Sequence, residues 1–223
     1  METLLAYHNN PKIKAKYVKR VKAHYDADEI IHGIYWENGK GCAVGCTIEG
    51  SDHGKYETEL GIPRILARLE DRIFEGMGNG EAKEFPLKFL KAITPGADLS
   101  LVVPKFFVWL LTDPKDGVIK FARPDGKKAI KKVASLYQRK IDGKNVTKAQ
   151  WRDAADAAAA AAAADAAADA AAAAAAYADA YADAYADAYA DAYAAAYAAA
   201  AADAAVFYSR MANKLLQLLR EAL

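Results

Sequence analysis

The sequence predicts an all-α protein, in which a small helical domain over residues 1–145 precedes one very long alanine-rich helix over residues 146–223. In the front part, apolar residues recur every three or four positions between Pro and Gly residues, as on the buried face of a helix. After Gly143 the chain contains neither Gly nor Pro, the two residues that most often end helices. Alanine, the best helix former, fills most of those positions.

Pro and Gly residues mark the ends of the helices expected in the front domain. Asn10-Pro11, for example, supplies an N-cap and a first-turn proline. Gly76 ends a helix that opens at Gly61-Ile62-Pro63. The expected helices cover about 11–31, 61–76, 86–94, 99–112 with a kink or restart at Pro104, and 125–142.

Residues 35–54 interrupt this helical pattern. Glu37–Gly41 is typical of a turn, because it contains Asn-Gly and a second glycine. Cys42–Ile48 is expected to form a short buried helix, and a minor hairpin in this segment is the alternative.

The long helix has a clear start signal. Thr147 and Gln150 match a capping box, in which each side chain accepts a hydrogen bond from the other residue's backbone. A continuous helix from there to Leu223 would be about 115 Å long, whereas a domain the size of residues 1–145 is only about 40 Å across. Such a helix has to protrude, bend back or lie against other copies.

Tyrosine recurs at every fourth position inside this helix. The repeat tyrosines are Tyr177, Tyr181, Tyr185, Tyr189, Tyr193 and Tyr197. Aspartates lie midway between several of them, about 200° around the helix, so tyrosine and aspartate occupy opposite faces locally. This pattern predicts a surface for packing against another helix; a low-complexity expansion that merely preserves a helix is the alternative.

The charge is unevenly distributed along the chain. Residues 1–147 carry 25 Lys and Arg against 19 Asp and Glu, and residues 148–223 carry 5 against 10. A basic stretch over 120–144 suggests nucleic acid, but an acidic tail on the same chain would compete with phosphate, which argues against that partner.

The composition also bears on location. Repeated aspartates exclude the alanine tract as a membrane span, and the first ten residues lack the apolar core of a signal peptide. The two cysteines are expected as free thiols, so a cytoplasmic protein is predicted.

One group of residues could carry chemistry. Cys42-x3-Cys46 has a spacing compatible with zinc, and two histidines could complete a site. The candidate zinc ligands are His32, Cys42, Cys46 and His53. Cys42 could instead be a nucleophile with His53 as its base, oriented by Asp52 or Glu57. Buried structural cysteines are the simplest alternative.

The segments Tyr35–Ile48 and Gly61–Gly76 together resemble a group of bacterial and phage-encoded proteins of unknown function. Those proteins also place a tryptophan, here Trp151, ahead of an alanine-rich repeat. The resemblance implies a bacterial or phage cytoplasmic setting and brings no activity with it.

The sequence therefore favours a role in protein–protein interaction or self-assembly through the tyrosine–aspartate helix, and not an enzymatic one. No cofactor and no membrane partner are predicted. The alternative is a small cysteine- or zinc-dependent enzyme centred on Cys42, Cys46 and His53.

Overall fold

The structure is a computed structural model that describes residues 4–162 and 204–223. Its helices are α1 (Pro11–Asp26), α2 (Ala43–Ile48), α3 (Lys55–Leu60), α4 (Arg64–Gly76), α5 (Asn79–Ala92), α6 (Val102–Thr112), α7 (Pro124–Ile141), α8 (Lys148–Ala162) and α9 (Ala204–Glu221). Strand β1 (Trp36–Glu37) pairs antiparallel with β2 (Lys40–Gly41), and short 3₁₀ turns lie at Ala6–Asn9 and Val118–Phe121. Within these ranges the predicted all-α class is confirmed, with the minor hairpin beside α2.

The chain divides into two compact units. The first contains the residues up to Val103 together with Ala205–Leu223, and the second contains the described part of Pro104–Ala204. Residues 163–203 lie outside the described ranges. The six repeat tyrosines and the continuity of the predicted long helix fall there, so both stay predictions.

The first unit is built around helices α1, α2, α4 and α5. Helix α1 packs against α2 and α5, and α2 packs against α4. Large aromatic side chains fill the space between them, and Tyr17, Phe74 and Phe85 are almost completely buried. Because burying one such side chain contributes about 1.5–3 kcal/mol, these residues stabilise the packing of the first unit.

Helix α9 belongs to the same unit. Met211, Leu215 and Leu219 recur every four residues and are fully buried, which gives α9 one apolar face. The Tyr208 ring lies so close to Gly76 that a Cβ atom at that glycine would be 2.3 Å from it. Gly76 thus ends α4, and its lack of a side chain lets Tyr208 of α9 pack against it.

The second unit centres on the packing of α8 against α7. The Tyr137 ring stacks on Phe107 at 5.1 Å between centroids and meets Trp151 at 4.7 Å. Lys132 Nζ donates to the Asp153 carbonyl at 2.9 Å. The predicted capping box is confirmed at the start of α8, since Gln150 N–H donates to Thr147 Oγ1 and Thr147 N–H donates to Gln150 Oε1.

Helix α1 is shorter than its apolar pattern predicts. It ends at Asp26, and Asp28 has a positive φ of 56°, which no helix accommodates. Ile30 then forms a β-bridge with Gly41. Pairing with the hairpin has replaced the last helical turn expected from sequence.

Proline positions explain two further differences. Pro86 lies inside α5, which begins seven residues earlier at Asn79, and the neighbouring Phe85 and Phe89 are buried. Their burial offsets the loss of one helical hydrogen bond at Pro86. Pro104 lies in the first turn of α6, where a missing N–H leaves no helical hydrogen bond unmade, so the helix accommodates it.

No helix in the described ranges has the length and apolarity needed to cross a membrane.

Candidate functional site

Cys42 is held at the start of α2 by close backbone packing. It is the N-cap residue, and its Sγ accepts a hydrogen bond from Gly45 N–H at 3.4 Å. Its own N–H donates to the Ile34 carbonyl at 2.7 Å. The carbonyl of Tyr35 lies against Gly41 and Gly45, where a Cβ atom would approach it to 2.1 and 1.5 Å. Only glycine at these positions lets the loop press onto α2 and fix the thiol.

Two carboxylates of α4 face this thiol. Asp71 and Glu75 are four residues apart and therefore share one face of the helix. Single ligand atoms of Cys42, Asp71 and Glu75 all lie within 4.8 Å of one another. Cys42 is almost fully buried and Asp71 is 9% exposed, whereas Glu75 is half-buried. One side of the group is therefore open to solvent.

The three residues Cys42, Asp71 and Glu75 form a cluster, and His53 joins this cluster through Asp71. Its Nε2 lies 3.8 Å from Asp71 Oδ2, and its ring meets the edge of the Tyr35 ring at 5.4 Å between centroids. The Tyr35 side of the cluster is accessible, because this residue is 49% exposed. The structure thus places Cys42 and His53 around the same carboxylate.

The partners predicted to orient His53 have other roles. Asp52 Oδ1 accepts from Gly54 N–H at 2.8 Å and closes a turn. Glu57 Oε1 accepts from Arg64 N–H at 3.0 Å at the start of α4. Asp71 is the carboxylate beside His53.

The other two candidate zinc ligands point elsewhere. The Cys46 thiol donates to the Gly41 carbonyl at 3.3 Å, and burial raises its pKa to about 12. His32 Nε2–H donates to the Phe74 carbonyl at 3.0 Å, and its ring packs on the Phe74 ring. Cys46 and His32 are therefore placed as packing residues next to the cluster.

Burial raises the pKa of three ionisable groups at the site, Cys42, Glu75 and Tyr35. It is the main cause that raises the pKa of the Cys42 thiol, with the nearby charge of Asp71 as the second cause. Burial likewise raises the Glu75 pKa, although the Gly33 N–H that donates to both carboxylate oxygens opposes this. The pKa of Tyr35 is raised by burial and then by Asp71. Without a cation, the Cys42 and Glu75 side chains resist taking up negative charge.

Helix α4 also concentrates polar atoms that lack partners. Among the described residues, the buried side-chain nitrogen and oxygen atoms without a hydrogen bond are Arg64 Nε, Glu70 Oε1, Asp71 Oδ1 and Arg72 Nε. All four belong to α4, on either side of the cluster. Buried polar atoms are usually satisfied, and Asp71 Oδ1 is the one of the four whose residue also supplies a ligand atom of the cluster, so it is available to a bound group.

Glu70 is the residue before Asp71 in α4. It is completely buried and accepts a hydrogen bond from the Tyr56 hydroxyl at 2.8 Å. Burial raises its pKa well above the ordinary value, because the charged carboxylate would lose its contact with water, whereas the hydrogen bond from Tyr56 opposes that shift.

Sequence reasoning found Cys42 and His53 but missed Asp71, Glu75 and Tyr35. A signal for α4 was present, because Glu70 interrupts the apolar stripe of Leu66, Leu69 and Ile73. A carboxylate at such a position points to a polar interior nearby.

No family model matches the chain, and no curated protein or solved structure shows significant similarity to it. The function is therefore inferred from the geometry of the site.

Proposed function

We propose that the protein is a metal-dependent hydrolase whose ion, zinc in the first place, is bound by Cys42, Asp71 and Glu75. The observation that carries the proposal is the convergence of these three ligand atoms from α2 and α4 within 4.8 Å. This proposal departs from the sequence-based expectation that no cofactor is used.

The donor set favours a transition metal. Calcium and magnesium prefer oxygen ligands, whereas zinc accepts thiolate and carboxylate together. Asp71 Oδ1 is buried and lacks a hydrogen bond, so it has a lone pair that a cation would engage. A divalent ion would also stabilise the charged forms that burial disfavours.

The number of ligands favours catalysis over a purely structural role. Three protein ligands leave one position of a tetrahedral ion for water, as in catalytic zinc sites. Metal binding lowers the pKa of such a water toward neutrality and makes it a nucleophile. His53, beside Asp71, would accept the water's proton and pass it to the leaving group.

Zinc titration of the full chain tests the proposal, with the two cysteines as a matched pair. Both thiols are buried in or next to the same short helix, but only Cys42 faces α4. We expect one zinc per chain, tight binding in Cys46→Ser, and a loss of more than about 100-fold in affinity in Cys42→Ser and Asp71→Asn. That loss exceeds the 10–100-fold typical when only a residue supporting a ligand is removed. Equal zinc affinity in both cysteine variants would overturn the assignment.

A second candidate function is interaction through the tyrosine–aspartate repeat. Its support is that the segments flanking the repeat are each anchored in a folded unit: Trp151, Ala154 and Ala158 are buried on one side, and Met211, Leu215 and Leu219 on the other. In the sequence, the repeat therefore lies between two segments that are each packed in a folded unit.

Light-scattering mass tests this second function. If the tyrosines mediate assembly, replacing Tyr185 and Tyr189 by alanine in the full chain lowers the mass from a defined oligomer toward the monomer. Replacing two repeat aspartates, Asp183 and Asp187, by alanine is the control, because alanine also keeps the helix propensity high. A wild-type chain that is monomeric at all concentrations would exclude self-assembly.

A further inference from the structure

Helix α4 carries a row of arginines along the face that bears the cluster. Arg64, Arg68 and Arg72 follow one another at intervals of four residues, and all three are half-buried. At 100° per residue, they and the two carboxylates Asp71 and Glu75 fall within about 100° of the helix circumference. The arginines therefore flank the proposed metal ligands on one surface.

Both ends of this row lie near residues of the site: Arg64 is beside the residue that follows His53, and Arg72 is close enough to Glu75 for its charge to act to lower the pKa of that carboxyl. The Arg64 guanidinium lies against the backbone of Gly54, the residue after His53, where an added Cβ would be 3.0 Å from Nη2. Arg64 also approaches Glu57 at 3.7 Å while its side chain is 40% exposed. At the other end, Arg72 hydrogen-bonds with Tyr208 of α9, and its Nε is buried with no partner.

The charge of the site becomes more positive when metal binds. A thiolate and two carboxylates bound to a divalent ion leave one negative charge, and the three arginines, together with the Glu57 that pairs with Arg64, bring the net charge of this surface to plus one. Guanidinium groups bind oxyanions through paired N–H donors. A phosphoryl group or a carboxylate supplies the matching pair of acceptor oxygens. Carboxylates that serve as metal ligands no longer neutralise the arginines.

We infer that the metal-loaded site takes an oxyanion substrate, with one oxygen on the metal and the others on the arginines of α4. This inference rests on the proposed metal centre. A phosphoryl group and a carboxylate share the required chemistry, and a tetrahedral phosphoryl group has one more oxygen with which to meet metal and arginine together.

Calorimetric titration of the zinc-loaded full chain tests the inference, with inorganic phosphate and acetate as probes. We expect phosphate to bind, and Arg72→Met to weaken it at least about tenfold while zinc affinity stays unchanged, as expected for loss of a charged hydrogen bond. Arg68→Met provides a second variant. Arg220→Met, at an exposed position of α9 in the same unit, is the matched control and should leave phosphate affinity unchanged.

The outcomes separate this inference from the proposal beneath it. Tighter binding of phosphate than of acetate identifies a phosphoryl substrate, and the reverse identifies a carboxylate. Zinc uptake without binding of either probe would overturn the oxyanion substrate alone. Equal phosphate affinity in Arg72→Met, Arg68→Met and Arg220→Met would also overturn it. Absence of zinc uptake would overturn both.

Discussion

Replacing Gly45 by alanine should loosen the support of Cys42, because this glycine is where the loop of Tyr35 presses onto α2. An alanine Cβ would lie 1.5 Å from the Tyr35 carbonyl oxygen, and real Cβ atoms stay beyond 3.0 Å of such neighbours. The loop or the helix must therefore move by about 1.5 Å. The two clashing atoms are the carbonyl oxygen and carbon of Tyr35. Both belong to the backbone, so no side-chain rotation can relieve the clash.

The expected cost can be worked out from two opposing effects. Overpacking in a well-packed interior costs about 1–3 kcal/mol, and a backbone clash of this size belongs at the upper end. Alanine also gains about 1 kcal/mol over glycine in a helix. The net destabilisation is about 2 kcal/mol, which corresponds to about 30-fold in the local opening equilibrium.

Hydrogen–deuterium exchange measured by mass spectrometry reads this opening directly. Amides in peptides covering residues 35–48 should exchange about 30-fold faster in Gly45→Ala than in wild type, when exchange follows the opening equilibrium. Gly80→Ala is the matched control, because Gly80 lies in α5 with nothing within 4 Å of its added Cβ. Its local exchange should slow by up to about fivefold. Wild-type exchange in Gly45→Ala would refute the packing argument.

Further predictions concern the interior of the same unit. Glu70→Gln should gain stability relative to wild type as pH rises from about 4 to 8 in urea unfolding of the metal-free protein. The reason is that burial raises the folded-state pKa of Glu70, so the unfolded chain loses that proton at a lower pH than the folded chain. The wild-type protein therefore loses free energy of unfolding above the ordinary glutamate pKa. A constant difference between the two proteins would show that Glu70 is charged in the fold. Zinc at about 100 times its dissociation constant should stabilise wild type by about 2.7 kcal/mol in thermal unfolding but leave Asp71→Asn unchanged; equal shifts would place the ion elsewhere. Gly76→Ala should speed amide exchange in α9, because its Cβ would lie 2.3 Å from the Tyr208 ring; unchanged protection of α9 would contradict that contact.

The helices that the sequence predicts well are those with local start and stop signals. Helix α4 runs from Arg64 to Gly76, as Pro63 and Gly76 indicate, and α8 begins at its capping box. These signals depend on neighbouring residues alone. Helix α1 shows the limit, because its apolar period continues to Ile31 while a β-bridge to Gly41 captures Ile30.

Short and interrupted helices were harder to predict for a related reason. Helix α3 has only six residues, and no separate element was predicted at Lys55–Leu60. In α5, Pro86 predicts a helix start because proline is common in the first turn of a helix. Burial of Phe85 and Phe89 keeps it in the helix interior, and burial depends on the tertiary fold.

The sequence predicts two residues of the candidate site and not the others. Cys42 and His53 lie close together in sequence and carry recognisable chemistry, so they could be named. Asp71 and Glu75 are ordinary acidic residues of an amphipathic helix, and only the packing of α4 on α2 brings them to the thiol. The role of the repeat tyrosines stays a prediction.

Substitution of zinc by cobalt(II) tests the metal centre most directly, because the optical spectrum reports the bound sulfur itself. We predict a thiolate-to-cobalt charge-transfer band in wild type and in Cys46→Ser, and its loss in Cys42→Ser. A band that persists in Cys42→Ser, or a wild-type protein that binds cobalt without one, would contradict a metal held by Cys42, Asp71 and Glu75.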